Sequence, residues 1–225
     1  MSTDYQIKSN AARSSIINKL KKEVAGADYD KLPEELSYQY QQLSKTQQVE
    51  QFIGHLEANH AQVIKLEKQQ IPQVVSEQLK QRGIRTLLYG MQAPHSAQMA
   101  ELDSYIHAEV FDFNLAENKE KLFNQTPAGI TSSRAAIAAT GSIVLWPTET
   151  EPRSLSLVPP VHMVIVDAEQ LYANFSSLIR EQQWQDNLPT NAILISGPSK
   201  TADIQQTLAY GAHGPKELLV LLLNA

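Results

Sequence analysis

A chain of 225 residues with 24 acidic and 19 basic side chains carries a formal charge of −5, and it contains no cysteine. At ~100–200 residues per domain this is one large domain or a core domain with an added segment. With 42% hydrophobic and 19% charged residues there is enough apolar material to bury a substantial core. The missing cysteine excludes disulfides, thiolate catalysis, Cys-ligated zinc and thiolate-held iron–sulfur clusters within this chain.

Residues 1–72 balance nine basic against nine acidic side chains, so residues 73–225, with ten and fifteen, supply the whole net charge. No stretch is polybasic, and neither nucleic acid nor an anionic membrane surface is an expected partner. The longest strongly apolar run, Leu218–Leu223, is six residues, too short to cross ~30 Å of hydrocarbon. The first residues show no basic segment followed by an apolar one, as a signal peptide would. The expected setting is therefore the cytoplasm.

The first third is polar and Gln-rich, with only Gly26 and Gly54 of the nine glycines before residue 80. Ile16, Ile17, Leu20 and Val24 recur at helical spacing and predict a helix over residues 10–25. Ser44-Lys45-Thr46-Gln47 fits a capping box, and Val49, Phe52, Ile53 and Leu56 continue it as a second helix. The chain then alternates. A strand is predicted at Val63–Leu66, a helix at 70–82 and a buried strand at Thr86–Tyr89 closed by Gly90. A helix at about 95–103 and a strand at Ile106–Phe111 follow. Beyond a linker come a short helix near 132–139, strands at Ser142–Trp146 and His162–Asp167, and a helix over 168–183. The chain finishes with a strand at Ala192–Ser196, a helix at Lys200–Tyr210 and a strand at Glu217–Leu223. Such alternation predicts an α/β fold, a largely parallel sheet flanked by helices. The boundary falls near residue 60: an N-terminal helical segment over 1–60 and the α/β domain over 61–225.

Ligands of open α/β sheets gather at the carboxyl ends of strands, which directs attention to turns. At Ile195-Ser196-Gly197-Pro198-Ser199-Lys200-Thr201-Ala202-Asp203-Ile204 an apolar strand meets Gly-Pro and then a predicted helix start. The Ser199 and Thr201 hydroxyls, the Lys200 ammonium and free N–H groups there suit a carboxylate or phosphate. The plainer reading is a helix cap, with Asp203 complementing the dipole. Neither a Walker A loop nor a G-x-G-x-x-G is present. In Gly211-Ala212-His213-Gly214-Pro215, His213 is either a ligand-reaching imidazole or a spectator in a turn. Thr140-Gly141-Ser142 permits close backbone approach to a ligand, or simply closes a turn. His162, after Val158-Pro159-Pro160-Val161, either faces a cleft or is a satisfied core histidine. Glu149, Glu151 and Arg153 lie in a Pro-bounded loop that reads as a solvated excursion. His55, His60, His95 and His107 show no metal-binding spacing, so no metal site is expected.

Taken together, Thr140-Gly141-Ser142-Ile143-Val144-Leu145, Leu157-Val158-Pro159-Pro160-Val161-His162, Gly197-Pro198-Ser199-Lys200-Thr201-Ala202-Asp203-Ile204 and Gly211-Ala212-His213-Gly214-Pro215 resemble the LUD domain of the lactate-utilisation protein C family. The resemblance spans roughly residues 85–225. It implies a fold like the NagB/RpiA/CoA-transferase group. It also implies a cytoplasmic component of a system oxidising L-lactate to pyruvate together with two iron–sulfur partner proteins. With no cysteine in this chain, the clusters are expected on those partners, and no cofactor is expected here. One departure is Ala139, where the family often has an acidic residue before T-G, so no acid/base group is expected at that position.

The expected mechanism has the loops 140–142, 197–203 and 211–215 converging on one cleft. Thr140, Gly141, Ser199, Lys200, Thr201, Asp203 and Gly214 would bind a small carboxylate or phosphate there, with His213 and His162 assisting proton transfer. Two other classes stay open: a non-catalytic scaffold that docks the iron–sulfur partners, and an independent enzyme of the same fold handling a CoA ester or folate.

Overall fold

The computed structural model describes residues 3–26, 42–91, 93–113, 118–202, 208–210 and 213–225, with the backbone alone described at 3–9, 201–202 and 208–210. The chain divides into two compact units, Met1–Gln41 and Gln42–Ala225. In the first, helix α1 runs over Thr3–Glu23. Its apolar stripe of Ile16 and Leu20, with Val24 just beyond it, is exposed.

The second unit opens with α2 (Lys45–Ala58). Its capping box forms as the sequence predicts: the Gln47 N–H donates to Ser44 Oγ at 3.3 Å, and the Ser44 N–H donates to Gln47 Oε1 at 2.9 Å. Then follow β1 (Gln62–Leu66), α3 (Ile71–Gln81), β2 (Thr86–Gly90), α4 (Ser96–Met99), β3 (His107–Phe111), α5 (Lys119–Asn124) and β4 (Ala128–Ser132). Next come β5 (Ala135–Ile137), β6 (Ser142–Leu145), α6 (Arg153–Leu157), β7 (Val161–Asp167), β8 (Leu171–Tyr172), α7 (Phe175–Glu181) and α8 (Trp184–Asn187). The chain ends with β9 (Ile193–Ile195), β10 (Lys200–Ala202), β11 (Leu208–Tyr210) and β12 (Glu217–Leu223).

Six strands form one sheet in the order β1-β12-β7-β4-β2-β3, every pairing parallel. The apolar run Leu218–Leu223 is its second strand, between β1 and β7, buried on both sides as a strand covered on two faces must be. On one face Leu87, Ile130, Met163, Leu219 and Leu221 pack against Val75 and Leu79 of α3. On the other, Val164, Val166, Leu218, Val220 and Leu222 meet Val49, Phe52 and Leu56 of α2. The inner face of a second, four-stranded sheet, β8-β5-β6-β9, joins that layer through Ala136, Ile143 and Leu145. The outer face of this small sheet is covered by Leu178 of α7 and Trp184 of α8. Among the described residues no helix is long and apolar enough to cross a membrane.

Four features differ from the sequence reading. The helix expected near 132–139 is the end of β4, then β5, then a 3-10 turn at Ala138–Thr140. Ala135 and Ile137 face one core while Ala136 and Ala138 face another, so alanines that suit a helix serve here as small residues between two packed layers. The helix expected over 168–183 starts late. Leu171 and Tyr172 pair with β5, and Asn174 then caps α7 by accepting from the Ser177 N–H at 2.9 Å. The helix at 95–103 stops at Met99, after which the Asp103 N–H is held by Ser76 Oγ. In place of the helix at 200–210, β10 and β11 form an antiparallel ribbon pairing Lys200 with Tyr210 and Ala202 with Leu208.

Phe52 and Leu56 are fully buried in the core beside the sheet, and burying each is worth roughly 1.5–3 kcal/mol. That packing puts α2 in the same compact unit as the strands, and the unit begins at Gln42.

Candidate functional site

Residues from three of the sequence motifs gather at the amino-terminal edge of the six-stranded sheet, around the end of α2. Gly141 has a left-handed φ of +60°, and a Cβ there would run into His55 Cβ. Gly197 lies so close that an added Cβ would come 2.8 Å from the Asn59 carbonyl oxygen. At Gly214 an added Cβ would come 3.2 Å from Ser199 Cβ, a milder approach. The Ser199 N–H donates to the Pro215 carbonyl at 2.8 Å, and the Lys216 and Glu217 N–H groups both donate to Pro160. Glycine is needed at Gly141 and Gly197 because the end of α2 approaches closely.

Lys200, His213 and Thr140 are exposed on this edge, and Thr140 Oγ1 shares a hydrogen bond of 2.8 Å with Ser142 Oγ. Because Lys200 begins a strand, the free N–H groups of a helix start are not available beside it. The helix that does end here, α2, presents its C-terminal, electronegative end. Asp203, Gly211 and Ala212 lie outside the described residues, and Thr201 is described by its backbone alone.

His162 sits inside the sheet, 1% exposed, with Nε2 2.8 Å from Thr131 Oγ1. Full burial pushes its imidazole down to about 3, so it is neutral in the folded protein. It reaches the next site only through Thr131.

That site lies at the opposite, carboxyl-terminal edge. A small hollow of about 10 Å³, room for about one water molecule, lies where β2, β4 and β7 end. Tyr89, His95, Thr131, Ser132 and Glu151 are among its walls. Glu151 is the residue that sequence reasoning missed. Its neighbours Glu149 and Arg153 are exposed, as a solvated loop requires, but the Glu151 side chain turns inward. Thr148 and Glu151 close the turn reciprocally: the Glu151 N–H donates to Thr148 Oγ1 at 2.9 Å, and the Thr148 N–H to the Glu151 carbonyl at 3.0 Å. The side chain then lies over Gly90, where a Cβ would collide with Glu151 Cγ. Ser132 donates to Glu151 Oε1 twice, from its N–H at 3.0 Å and from Oγ at 3.3 Å. A Thr-x-x-acid turn opposite a strand-ending glycine was the available signal, but only the fold puts Gly90 beneath Glu151.

Burial pushes the Glu151 carboxyl above the ordinary glutamate range, and the two bonds from Ser132 offset only part of that. His95 is shifted the other way, chiefly by burial and then by Lys68, with Asp167 opposing. Its Nδ1 is buried without a hydrogen-bond partner among the described residues. The hollow therefore combines a carboxyl whose charged form burial disfavours with an imidazole whose charged form burial also disfavours, shifts of the kind that gather at functional sites. Among the described residues no three His, Asp or Glu side chains come together as metal ligands would.

A family model described as the LUD domain matches residues 49–223. An uncharacterized protein of Neisseria meningitidis serogroup B is 34% identical, over 95% of this chain and 94% of its own. Lactate utilization protein C of Oceanobacillus iheyensis is 24% identical, over 76% of this chain and 77% of its own. Among solved structures, a DUF162 family protein from Deinococcus radiodurans superposes with a TM-score of 0.59 at 19% identity, over 81% of this chain and all of that one. That likeness speaks for the fold alone. The matched segment contains α2 from Val49 onward, both sheets and both edges described above, and the chain belongs to the LUD domain family.

Proposed function

We propose that this protein is a cytoplasmic component of an L-lactate utilisation system, supporting oxidation of L-lactate to pyruvate alongside iron–sulfur partner proteins. The observation that carries the reading is the family match over residues 49–223, together with relatives named lactate utilization protein C that align over three quarters or more of their length. The absence of cysteine from the chain assigns thiolate-held clusters, and the electrons they carry, to the partners. Its own part is to bind the small acid and manage a proton. Deleting the gene should abolish growth on L-lactate while leaving growth on pyruvate intact, with the full chain restoring it. Unchanged growth on lactate would reject the reading.

A second reading makes the chain a docking subunit for those partners. It is favoured by the exposure of Lys200, His213 and Lys216 on the amino edge, remote in register from the hollow. Under this reading Lys200→Ala with His213→Ala weakens co-purification of the iron–sulfur proteins and spares small-acid binding.

A further inference from the structure

The turn between β6 and α6 completes the large sheet with a side chain. Pairing of β2 with β4 joins Leu88 to Gly129 and Tyr89 to Ile130 and stops there. The Ser133 N–H donates to Ile165 of β7 at 3.0 Å. Backbone N–H groups alternate in direction along a strand, so the Ser132 N–H points the other way, toward β2. Glu151 Oε1 receives it at 3.0 Å, together with the Ser132 hydroxyl at 3.3 Å. The Glu151 carboxyl thus stands where the next residue of β2 would have stood.

The turn is also closed on itself and seated. Pro147 and Pro152 bracket it, and the reciprocal bonds between Thr148 and Glu151 hold it together as one piece. A Cβ on Gly90 would collide with Glu151 Cγ and come 2.7 Å from the Thr150 carbonyl oxygen, so the turn rests on the end of β2. Two hollows flank the carboxyl, each of about 10 Å³, room for about one water molecule. Both have Thr131, Ser132 and Glu151 in their walls. The first adds Tyr89 and His95, and the second adds Trp146, Arg153 and Ser156. Thr131 and Ser132 are anchored in β4. Glu151 is the part of the shared wall that is carried on a turn.

We infer that the turn from Pro147 to Pro152 is a latch: with Glu151 seated on Ser132 it closes the carboxyl edge between β2 and β4, and with Glu151 withdrawn the two hollows join into one cleft. A cleft that exists only in the less populated state is a cryptic one, and its population is what the latch sets. The latch rests on contacts within this chain and stands whether or not the lactate reading does.

The seated position favours the neutral carboxyl. Burial holds Glu151 above the ordinary glutamate range, and the two Ser132 bonds offset only part of that. A withdrawn, solvated Glu151 titrates in the ordinary range, so the seated form keeps its proton to a higher pH. Withdrawal is therefore rarest below the ordinary range. It rises by up to about tenfold per pH unit between the two pKa values, and levels off above the seated one. The titratable and charged groups that face Glu151 are Tyr89 from β2, His95 ahead of α4 and Arg153 at the start of α6, while β4 presents only hydroxyls. His95 in turn feels Lys68 and Asp167.

Hydrogen–deuterium exchange of the full chain, followed by NMR at single amides from about pH 4 to 8, tests the latch. Withdrawal of Glu151 frees the Ser132 N–H and leaves the Ser133 N–H bonded to Ile165. Once each rate is divided by the intrinsic rate at that pH, Ser132 exchange should rise and level off as described, and Ser133 should not follow it. Glu151→Gln still accepts from Ser132 but does not titrate, so its Ser132 profile should be flat. His95→Gln should keep the wild-type profile. Glu151→Ala should speed Ser132 exchange by about tenfold or more at every pH and spare Ser133. The chain has no cysteine, so Ser156→Cys places a single thiol in the wall of the second hollow. At one fixed pH a thiol reagent should modify it about tenfold faster beside Glu151→Ala than beside Glu151→Gln. If circular dichroism shows that the Glu151→Ala chains do not fold, the wild-type and Glu151→Gln profiles decide. A flat wild-type profile, Ser132 and Ser133 exchanging together, a slope that survives Glu151→Gln or is lost in His95→Gln, or labelling indifferent to Glu151→Ala would overturn the latch.

Discussion

The two edges of the six-stranded sheet are built on opposite plans. At the amino edge, backbone meets backbone: Ser199 with Pro215, Lys216 and Glu217 with Pro160, and glycines pressed against the end of α2. At the carboxyl edge, side chains are left to face one another, and two of them, Glu151 and His95, are pushed by burial toward their neutral forms. The amino edge holds most of the motif residues, and the carboxyl edge holds the titratable groups suited to chemistry. The difference teaches that a motif can be dense because packing is tight there, while reactive potential collects where strands end without closing.

The comparison is broken most severely through its glycines. Gly141→Ala places a side chain in a left-handed conformation, ~1–2 kcal/mol, and drives it into α2, adding ~1–3 kcal/mol of overpacking. A loss of about 2–5 kcal/mol in chemical denaturation is expected. Gly90→Ala meets Glu151 Cγ and the Thr150 carbonyl. It should cost less stability, because Gly90 is not in the left-handed region, while displacing Glu151 from Ser132. Equal stability losses in both would erase the distinction.

A smaller effect separates the interior from both edges. His162 titrates near 3 in the folded protein against 6.5 when unfolded. As pH falls between those values, the unfolded chain takes up a proton that the folded one refuses, and stability declines by up to ~1.4 kcal/mol per pH unit. His162→Gln should remove that part of the slope in denaturation midpoints measured from pH 7 to 4. An unchanged slope would mean that His162 is not the group being titrated.

Least is expected of Lys200→Ala and His213→Ala. Both side chains are exposed, so stability should stay within about 0.5 kcal/mol of wild type by thermal melting. Any larger loss would show that the amino-edge surface is part of the packing rather than its covering.

Much of this was legible in the residues. The capping box at Ser44 and Gln47, the apolar run of β12 and the alternation of strands with helices follow from local pattern, and they suffice for an α/β fold with a largely parallel sheet. Ala135–Ile137 was misread because a short strand in the second sheet is chosen by what covers it, not by its own propensity, and the helix expected at Lys200–Tyr210 gives way to the separate ribbon of β10 and β11. His162 left two readings open, and the Thr131 hydroxyl at 2.8 Å together with full burial places it in the core.

The absence of cysteine, the charge of −5, the family motifs and the order of the main elements are properties of the chain itself, and the sequence alone determined them. Which loops meet was decided only in three dimensions. Glu151 is 61 residues from Gly90 and 19 from Ser132, and no local pattern records that distance closing. The parallel crossovers bring β2 and β4 side by side, and the absence of a side chain on Gly90 leaves room for a carboxyl to fold in from solvent. Burial then raises its pKa, a shift that arises from the environment and not from the residue.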